Sequence, residues 1–248
     1  MPIEFSKYED QARSYFAGGT VKERKAVSFE SPIKGSSTLY SISTFGSDEG
    51  GTVEEHVHKG FEVLTYVLAG QVDHQESGAG NWIPLEAGDF QVIRAASGMT
   101  HSERYAPGTQ AVQICMDPDF RRSLQRPASF TNYEPDDFEP DTFAGMQRID
   151  FNGDESPVYL TTKLGLARLD FEAGQFQIPV DKQEVLSVVV QEGAVEIEGE
   201  QLGGGDLVQV TNETEFSFSA SEKGALLTLT HALEPGYRTY NDQLQVSQ

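Results

Sequence analysis

The chain has little positive charge and no long hydrophobic run. Its 248 residues include 18 lysines and arginines against 39 aspartates and glutamates, a formal net charge of −21 at pH 7. A surface of that sign repels phosphate backbones and anionic lipids, so direct binding to nucleic acid or to a membrane is not expected. No stretch approaches the roughly 18 apolar residues that a membrane-spanning helix needs.

Cysteine is almost absent. Cys115 is the single cysteine, so no disulfide can form within the chain. The first residues lack the basic and then apolar order of a secretion signal. Together these features predict a protein of a reducing compartment, the cytoplasm. Because Cys115 lies in an apolar run, we expect an inert, small hydrophobic side chain there.

Helical periodicity is also weak, and short runs rich in β-branched and aromatic residues recur every eight to twelve positions. Gly, Asp or Asn separates the runs, which is the pattern of an all-β sandwich or barrel. The predicted strands of the first half are 37–44, 53–58, 62–68, 72–76, 82–84, 89–93, 101–105 and 110–116. Those of the second half are 158–160, 163–169, 175–179, 185–191, 194–197, 206–210, 215–218 and 225–231.

An acidic stretch separates the two halves. Residues 132–155 contain eight acidic side chains and one basic side chain, Arg148, with two prolines between them. We therefore predict an N-terminal domain over 1–128, an acidic linker over 129–157 and a C-terminal domain over 158–248.

The two halves repeat each other. Glu62 and the three residues after it align with the segment that begins at Glu184, and the turn at Gly88-Asp89 aligns with Gly205-Asp206. Missing such a repeat would change the whole fold prediction. The pattern predicts a duplicated β-domain.

Two same-face pairs carry the candidate chemistry. His56 and His58 are two residues apart, as are His101 and Glu103. Side chains alternate along a strand, so each pair leaves one face of its strand. Three imidazoles and one carboxylate could surround one divalent cation, and such donors favour Fe(II), Mn, Ni, Cu or Zn over Mg or Ca.

The repeat provides an internal control for this site. With offsets of 122 and then 117, the four candidate ligands fall on apolar residues of the second half: Ile178, Val180, Phe218 and Ala220. Residues needed only for packing would not be expected to change type together. We therefore predict one metal per chain, in the N-terminal half. Since neutral imidazole is the ligand, metal occupancy is expected to fall below about pH 6 to 6.5.

The stretches HVHKGFEVLTYVLAGQVDHQES and GDFQVIRAASGMTHSE resemble the pirin family of two-barrel cupins. The resemblance implies tandem cupin barrels, that is, double-stranded β-helix (jelly-roll) folds, with a metal site in the first and a degenerate second barrel. It also implies iron as the usual metal and His56, His58, His101 and Glu103 as its ligands. Glu62 occupies the place of the carboxylate ligand of many single-barrel cupins and is the alternative to Glu103. Glu103 is favoured because Glu62 aligns with Glu184, and the half that contains Glu184 lacks the other ligands. A glutamate kept in both halves suggests a structural role for Glu62.

The resemblance also carries two functions of different classes. Some bacterial pirin-like proteins are quercetin 2,3-dioxygenases, which implies a small aromatic enol and dioxygen as substrates and Glu103 as a general base. The alternative is a metal-binding interaction protein, like the eukaryotic pirins, which modulate transcription factors without evident turnover. An arginine-rich surface near the metal would favour the second function.

Overall fold

The computed structural model describes residues 3–78, 80–154 and 156–246. The predicted domains and linker include six positions that lie outside the described residues: 1, 2, 79, 155, 247 and 248. Among the described helices, none has the length and apolar character needed to cross a membrane.

The chain forms two β-barrels, each made of a seven-stranded and a four-stranded antiparallel sheet. The large N-terminal sheet contains β2 (Ala12–Phe16), β3 (Val21–Val27), β4 (Leu39–Ser47), β6 (Glu62–Ala69), β9 (Phe90–Arg94), β11 (Thr109–Met116) and β12 (Ser129–Tyr133). The small N-terminal sheet contains β5 (Gly51–His58), β7 (Gln71–Glu76), β8 (Ile83–Glu86) and β10 (Met99–Tyr105).

The C-terminal barrel repeats this arrangement. Its large sheet contains β1 (Ile3–Ser6), β13 (Asp141–Phe143), β14 (Met146–Asp150), β15 (Leu164–Phe171), β17 (Glu184–Glu192), β20 (Leu207–Thr211) and β22 (Gly224–Ala232). Its small sheet contains β16 (Gly174–Pro179), β18 (Val195–Ile197), β19 (Glu200–Leu202) and β21 (Glu215–Ala220). Two short α-helices, α1 (Phe120–Ser123) and α2 (Tyr240–Val246), and 3-10 turns at Ala17–Gly19 and Pro135–Asp137 complete the described structure. The predicted all-β bicupin architecture is confirmed.

The hydrophobic core explains why the two barrels form one body. One continuous cluster joins buried residues of both large sheets, including Leu64 and Val92 of one barrel and Leu227 and Leu229 of the other. The strand β6 is therefore buried on both faces, and its sequence is an almost unbroken apolar run rather than an alternating one.

The interiors of the two barrels differ. In the C-terminal barrel one cluster fills the inside and includes Ile178, Phe216 and Phe218. In the N-terminal barrel the inside is divided into a cluster around Tyr105 and a smaller one around Met99. Those two residues lie on β10 on either side of the predicted ligands, so the first barrel has a polar interior where the second is packed.

The predicted linker is not a separate linker. Within residues 129–157, β12 pairs with β9 of the N-terminal barrel, while β13 and β14 extend the C-terminal sheet through β15. Buried Tyr133, Phe138, Met146 and Phe151 alternate with the exposed acidic groups. Charge averaged over the segment concealed this alternation.

The chain ends also depart from the predicted domain boundaries. β1 pairs with β20 and so belongs to the C-terminal sheet. At the other end, Asn241 of α2 donates its backbone N–H to Asp117 at 2.9 Å, which ties the C-terminus to the N-terminal barrel. The segment 158–160, predicted as a strand, is irregular, because its backbone and side chains contact the other barrel instead of a sheet partner.

Candidate metal centre

Two neighbouring strands place the predicted ligands. β5 and β10 are antiparallel, and His101 lies directly opposite His56, while Met99 lies opposite His58. The side chains of Met99, His101, Glu103 and Tyr105 are all buried, whereas the residues between them are half-buried or exposed. The alternation predicted for this strand is therefore present.

A β-bulge in β5 adjusts the position of the first pair. Between the pairs His101–His56 and Glu103–Val53, β5 contains one more residue than β10. Bulges of this kind bend a strand and change the direction of its side chains. Beyond the bulge, Val57 is 68% exposed while the two flanking histidines are half-buried, so His56 and His58 share the inner face.

The three imidazoles meet at one point. One nitrogen from each of His56, His58 and His101 lies within 4.8 Å of the other two. The ring centroids of His56 and His101 are 4.4 Å apart, and those of His58 and His101 are 5.1 Å apart. This cluster could hold a metal ion, and nitrogen donors favour a transition metal.

The hydrogen bonds of the rings are compatible with metal binding. Nδ1–H of His56 donates to the backbone oxygen of Glu54 at 2.9 Å, which leaves Nε2 available. His101 uses its Nδ1 for a 3.2 Å contact with Nδ1 of His74, and its Nε2 is buried with no hydrogen-bond partner among the described residues. A buried nitrogen without a partner is costly unless a ligand satisfies it, so the donor set fits a metal.

Glu103 is close to this cluster but is held differently. Its Oε1 accepts a hydrogen bond from Nε2 of Gln113 at 2.6 Å, and Tyr105 donates its hydroxyl to Oε2 at 3.4 Å. The carboxylate is not part of the 4.8 Å cluster. Burial raises the pKa of Glu103, against the opposing effects of nearby His56 and of the two hydrogen bonds.

Burial also changes the expected acid response of the histidines. It lowers the pKa of His58 to about 4 and that of His101 to about 2, with neighbouring imidazoles adding to the effect. At pH 6 both rings therefore stay neutral. For His58 and His101 these lowered pKa values place the acid loss of metal, predicted below about pH 6 to 6.5 from ordinary histidines, at lower pH.

Glu62 has a structural role. Its Oε1 accepts hydrogen bonds from the backbone N–H of Thr161 at 2.7 Å and from the Thr161 hydroxyl at 2.8 Å, and its Oε2 accepts one from the N–H of Thr162 at 2.9 Å. These donors lie just before β15 of the C-terminal barrel. The carboxylate thus fastens one barrel to the other and faces away from the histidines.

Matching hydrogen bonds in the two barrels give a slightly different correspondence from the sequence alignment. Gly88 N–H donates to the oxygen of Val67 at 2.8 Å, and Gly205 N–H donates to that of Val190 at 2.8 Å, so Val67 corresponds to Val190. Counting back five residues, Glu62 corresponds to Val185, one position after the Glu184 that the alignment indicated. The structural role assigned to Glu62 is correct, but the comparison with Glu184 did not justify it.

The ligand positions in the second barrel also move. Phe218 lies opposite Phe176, and Phe216 lies opposite Ile178, as His101 lies opposite His56 and Met99 opposite His58. His56 and His58 therefore correspond to Phe176 and Ile178, not to Ile178 and Val180. The connection from this strand to the next is longer in the second barrel, where it runs from Ile178 to Val185, than in the first, where it runs from His58 to Glu62. A single offset for both strands could not show this difference. The replacements are still apolar, and the phenylalanines stack at 5.0 Å where the first barrel has imidazoles.

A cavity of about 500 Å³ opens onto the site. His56, His58 and Glu103 line one side of it, and its remaining wall is mainly apolar and includes Tyr40 and Phe61. Aromatic packing continues outward from that wall, because Tyr240 of α2 lies 6.1 Å from Tyr40 and 5.7 Å from Phe61 between ring centroids. Cys115 also lines the cavity, and burial raises the pKa of its thiol, as the inert character predicted for it requires.

Some residues of the site were not found by sequence reasoning. Gln113 and Tyr105, which bind Glu103, occupy ordinary strand positions and carry no spacing signal. His74 was not among the predicted ligands, and it is fully buried against His101. Its role depends on the pairing of β7 with β10, which sequence periodicity does not reveal.

Comparison with known proteins agrees with this architecture. The Pirin family model matches residues 12–116, and the model of the quercetinase C-terminal cupin domain matches residues 151–230. The chain belongs to the pirin family. Both barrels of this pirin-family chain are thus covered, including all the predicted ligands.

Named relatives are moderately similar. A protein of Pseudomonas aeruginosa, provisionally named as a quercetin 2,3-dioxygenase, is 28% identical over 183 residues, 72% of this chain and 76% of its own. The quercetin 2,3-dioxygenase of Escherichia coli is 36% identical over 86 residues, 35% of this chain and 37% of that protein. A bacterial pirin of Escherichia coli, solved with nickel(II), has a TM-score of 0.76 at 24% identity and covers 93% of this chain and 99% of its own. At that identity the likeness concerns the fold.

Proposed function

We propose that this pirin-family protein is a metal-dependent dioxygenase that acts on a flavonol or a similar small aromatic enol. One observation carries the proposal: the imidazole cluster lies at the wall of an apolar, aromatic-lined cavity of about 500 Å³. That volume is within the range of about 300–1,000 Å³ that is typical of small-molecule sites. The names of the two quercetin 2,3-dioxygenase relatives support the same chemistry.

The proposed metal ligands are His56, His58, His101 and Glu103, with Fe(II) as the metal. Glu103 lies outside the imidazole cluster, and its Oε1 accepts a hydrogen bond from Gln113. When bound, the metal would orient and polarise the enol oxygens of the substrate and would assist electron transfer from the substrate to dioxygen.

Glu103 is the proposed general base. Its buried carboxylate lines the cavity, and burial raises its pKa, which favours proton uptake at the moment when it is not bound to the metal. In the overall reaction the substrate hydroxyl loses its proton, one dioxygen is consumed, the central ring opens and carbon monoxide is released. Tyr40 and Phe61 position the flat rings, because aromatic walls favour stacked or edge contacts.

The test is oxygen consumption and carbon monoxide release with quercetin, measured on protein loaded separately with iron, manganese and nickel. His101→Ala is expected to lose metal and turnover together. His231→Ala is the matched control, since His231 is equally buried but belongs to the packed second barrel. Metal-loaded wild type that consumes no oxygen with any flavonol would reject the dioxygenase.

A second function is favoured by one surface. The helix α1 carries Arg121 and Arg122 with side chains 85% and 84% exposed, each only partly paired with Asp119 at 3.5 Å. It is attached to the loop after His58, because the Ser123 hydroxyl donates to the oxygen of Gly60 at 2.7 Å. A basic patch beside the site, in a chain of net charge −21, suits an acidic protein partner.

The two functions can be separated in a deletion strain. If the protein is an interaction protein, a variant with both Arg121→Glu and Arg122→Glu should fail to restore the wild-type transcript profile although it binds metal normally. If it is a dioxygenase, that variant should restore the profile and retain flavonol turnover. The cytoplasmic location is part of this proposal and is tested by cell fractionation.

A further inference from the structure

A fourth histidine lies directly behind the candidate metal centre. His74 is on β7, which pairs with β10, and its side chain is fully buried. Its Nδ1 is 3.2 Å from Nδ1 of His101, and the two ring centroids are 5.0 Å apart. The cluster of three imidazoles does not include it.

The contact between two Nδ1 atoms requires one proton between them. If His74 were the donor, neutral His101 would carry its own proton on Nε2 and could not bind a metal through that atom. If His101 is the donor, its Nε2 has a free lone pair. Nε2 of His101 and Nε2 of His74 both lack a hydrogen-bond partner among the described residues, so a metal bound at Nε2 of His101 is what separates the two directions. Metal binding through Nε2 is therefore compatible with only one direction of this hydrogen bond.

The acceptor ring is itself held in place. The half-buried ring of Phe130 on β12 packs against the fully buried ring of His74, with centroids 4.7 Å apart. The equivalent support of His56 is a backbone oxygen, that of Glu54. The support of His101 is a side chain, so it can be removed without altering the backbone.

We propose that His74 is a positioning residue for the metal centre: it accepts a hydrogen bond from Nδ1–H of His101 and so holds His101 in the tautomer and orientation whose Nε2 binds the metal. This inference rests on the proposed metal site. Supports of this kind behind a ligating histidine affect metal affinity by about 10–100-fold.

The test uses two substitutions of similar shape. In His74→Asn the side-chain oxygen can occupy the position of Nδ1 and accept the same hydrogen bond, whereas His74→Leu fills a similar volume and accepts none. Nickel(II) affinity is measured by competition with a chelator, alongside the melting temperature of each variant without metal. His231→Leu, at an equally buried histidine outside the site, measures the general effect of losing a buried imidazole.

The expected result is a loss of nickel affinity of about 10–100-fold in His74→Leu, recovery to within a few-fold of wild type in His74→Asn, and no change in His231→Leu. Equal losses in the Asn and Leu variants, or no loss in either, would overturn the proposal, because a packing role alone would not distinguish them. Wild type that binds no nickel would instead reject the metal site itself.

A second measurement does not depend on the variants folding. In zinc(II)-loaded wild type labelled with ¹⁵N, imidazole correlation spectra are expected to show a proton on Nδ1 of His101 and a metal-bound Nε2. Metal on Nδ1, or an unprotonated Nδ1, would contradict the proposed direction of the hydrogen bond.

Discussion

The substitution Glu62→Gln separates a structural carboxylate from a metal ligand. The Glu62 side chain is 1% exposed and accepts three hydrogen bonds from Thr161 and Thr162. Glutamine retains the shape, but it replaces one oxygen by an NH₂ group that would face a backbone N–H as a second donor. The remaining hydrogen bonds lose the charge on their acceptor.

The magnitude follows from these contacts. Hydrogen bonds to a charged group contribute about 1.5–3 kcal/mol, and a buried donor left without an acceptor costs about 1–3 kcal/mol. Since part of the bonding survives, we expect a loss of about 3 kcal/mol in the free energy of unfolding. In a chain of this size 1 kcal/mol corresponds to about 2–4 °C, so the melting temperature should fall by about 6–12 °C.

The assay is a melting curve and a metal analysis of Glu62→Gln and Glu103→Gln side by side. Glu62→Gln should melt earlier and bind metal like wild type. Glu103→Gln should bind less metal, because it removes the proposed carboxylate ligand. If Glu62→Gln instead loses metal and keeps its melting temperature, Glu62 is the ligand and the reasoning is wrong.

Three further predictions concern ionisation. Burial lowers the pKa of His231 to about 4. As the pH falls, His231 is protonated in the unfolded chain before it is protonated in the folded one. The free energy of unfolding therefore decreases between about pH 6.5 and pH 4, by up to about 3 kcal/mol. Urea unfolding at several pH values should therefore show a weaker acid loss in His231→Leu, and an identical pH dependence would contradict this. Because the pKa values of His58 and His101 are lowered, nickel affinity should fall between pH 7 and pH 5 by far less than the roughly 10⁴-fold expected of three ordinary imidazoles. A loss of about 10⁴-fold would contradict the lowered pKa values. Since burial raises the pKa of the Cys115 thiol, the folded protein should resist iodoacetamide at pH 8 while urea-unfolded protein reacts, and equally rapid labelling of folded protein would contradict the raised pKa.

The sequence predicted most of the strands that surround the site, because alternation on β10 and the apolar run of β6 are local properties. It did less well where burial depends on distant partners. The first three strands were not predicted, since β2 and β3 have mixed, half-buried faces at the edge of a sheet. The acidic segment was predicted as a linker because its buried aromatic residues are separated by exposed carboxylates.

The amino-acid sequence by itself determined the β-rich class, the duplication and the two same-face pairs, since each is set by spacing along one strand or between matching turns. Only the tertiary structure decided which groups meet. Pairing of β5 with β10 brings three imidazoles together, and pairing of β7 with β10 places His74 behind one of them. Contacts between the barrels bind the Glu62 carboxylate to Thr161 and Thr162, because hydrogen bonds across about 100 residues of chain form only after the strands have packed.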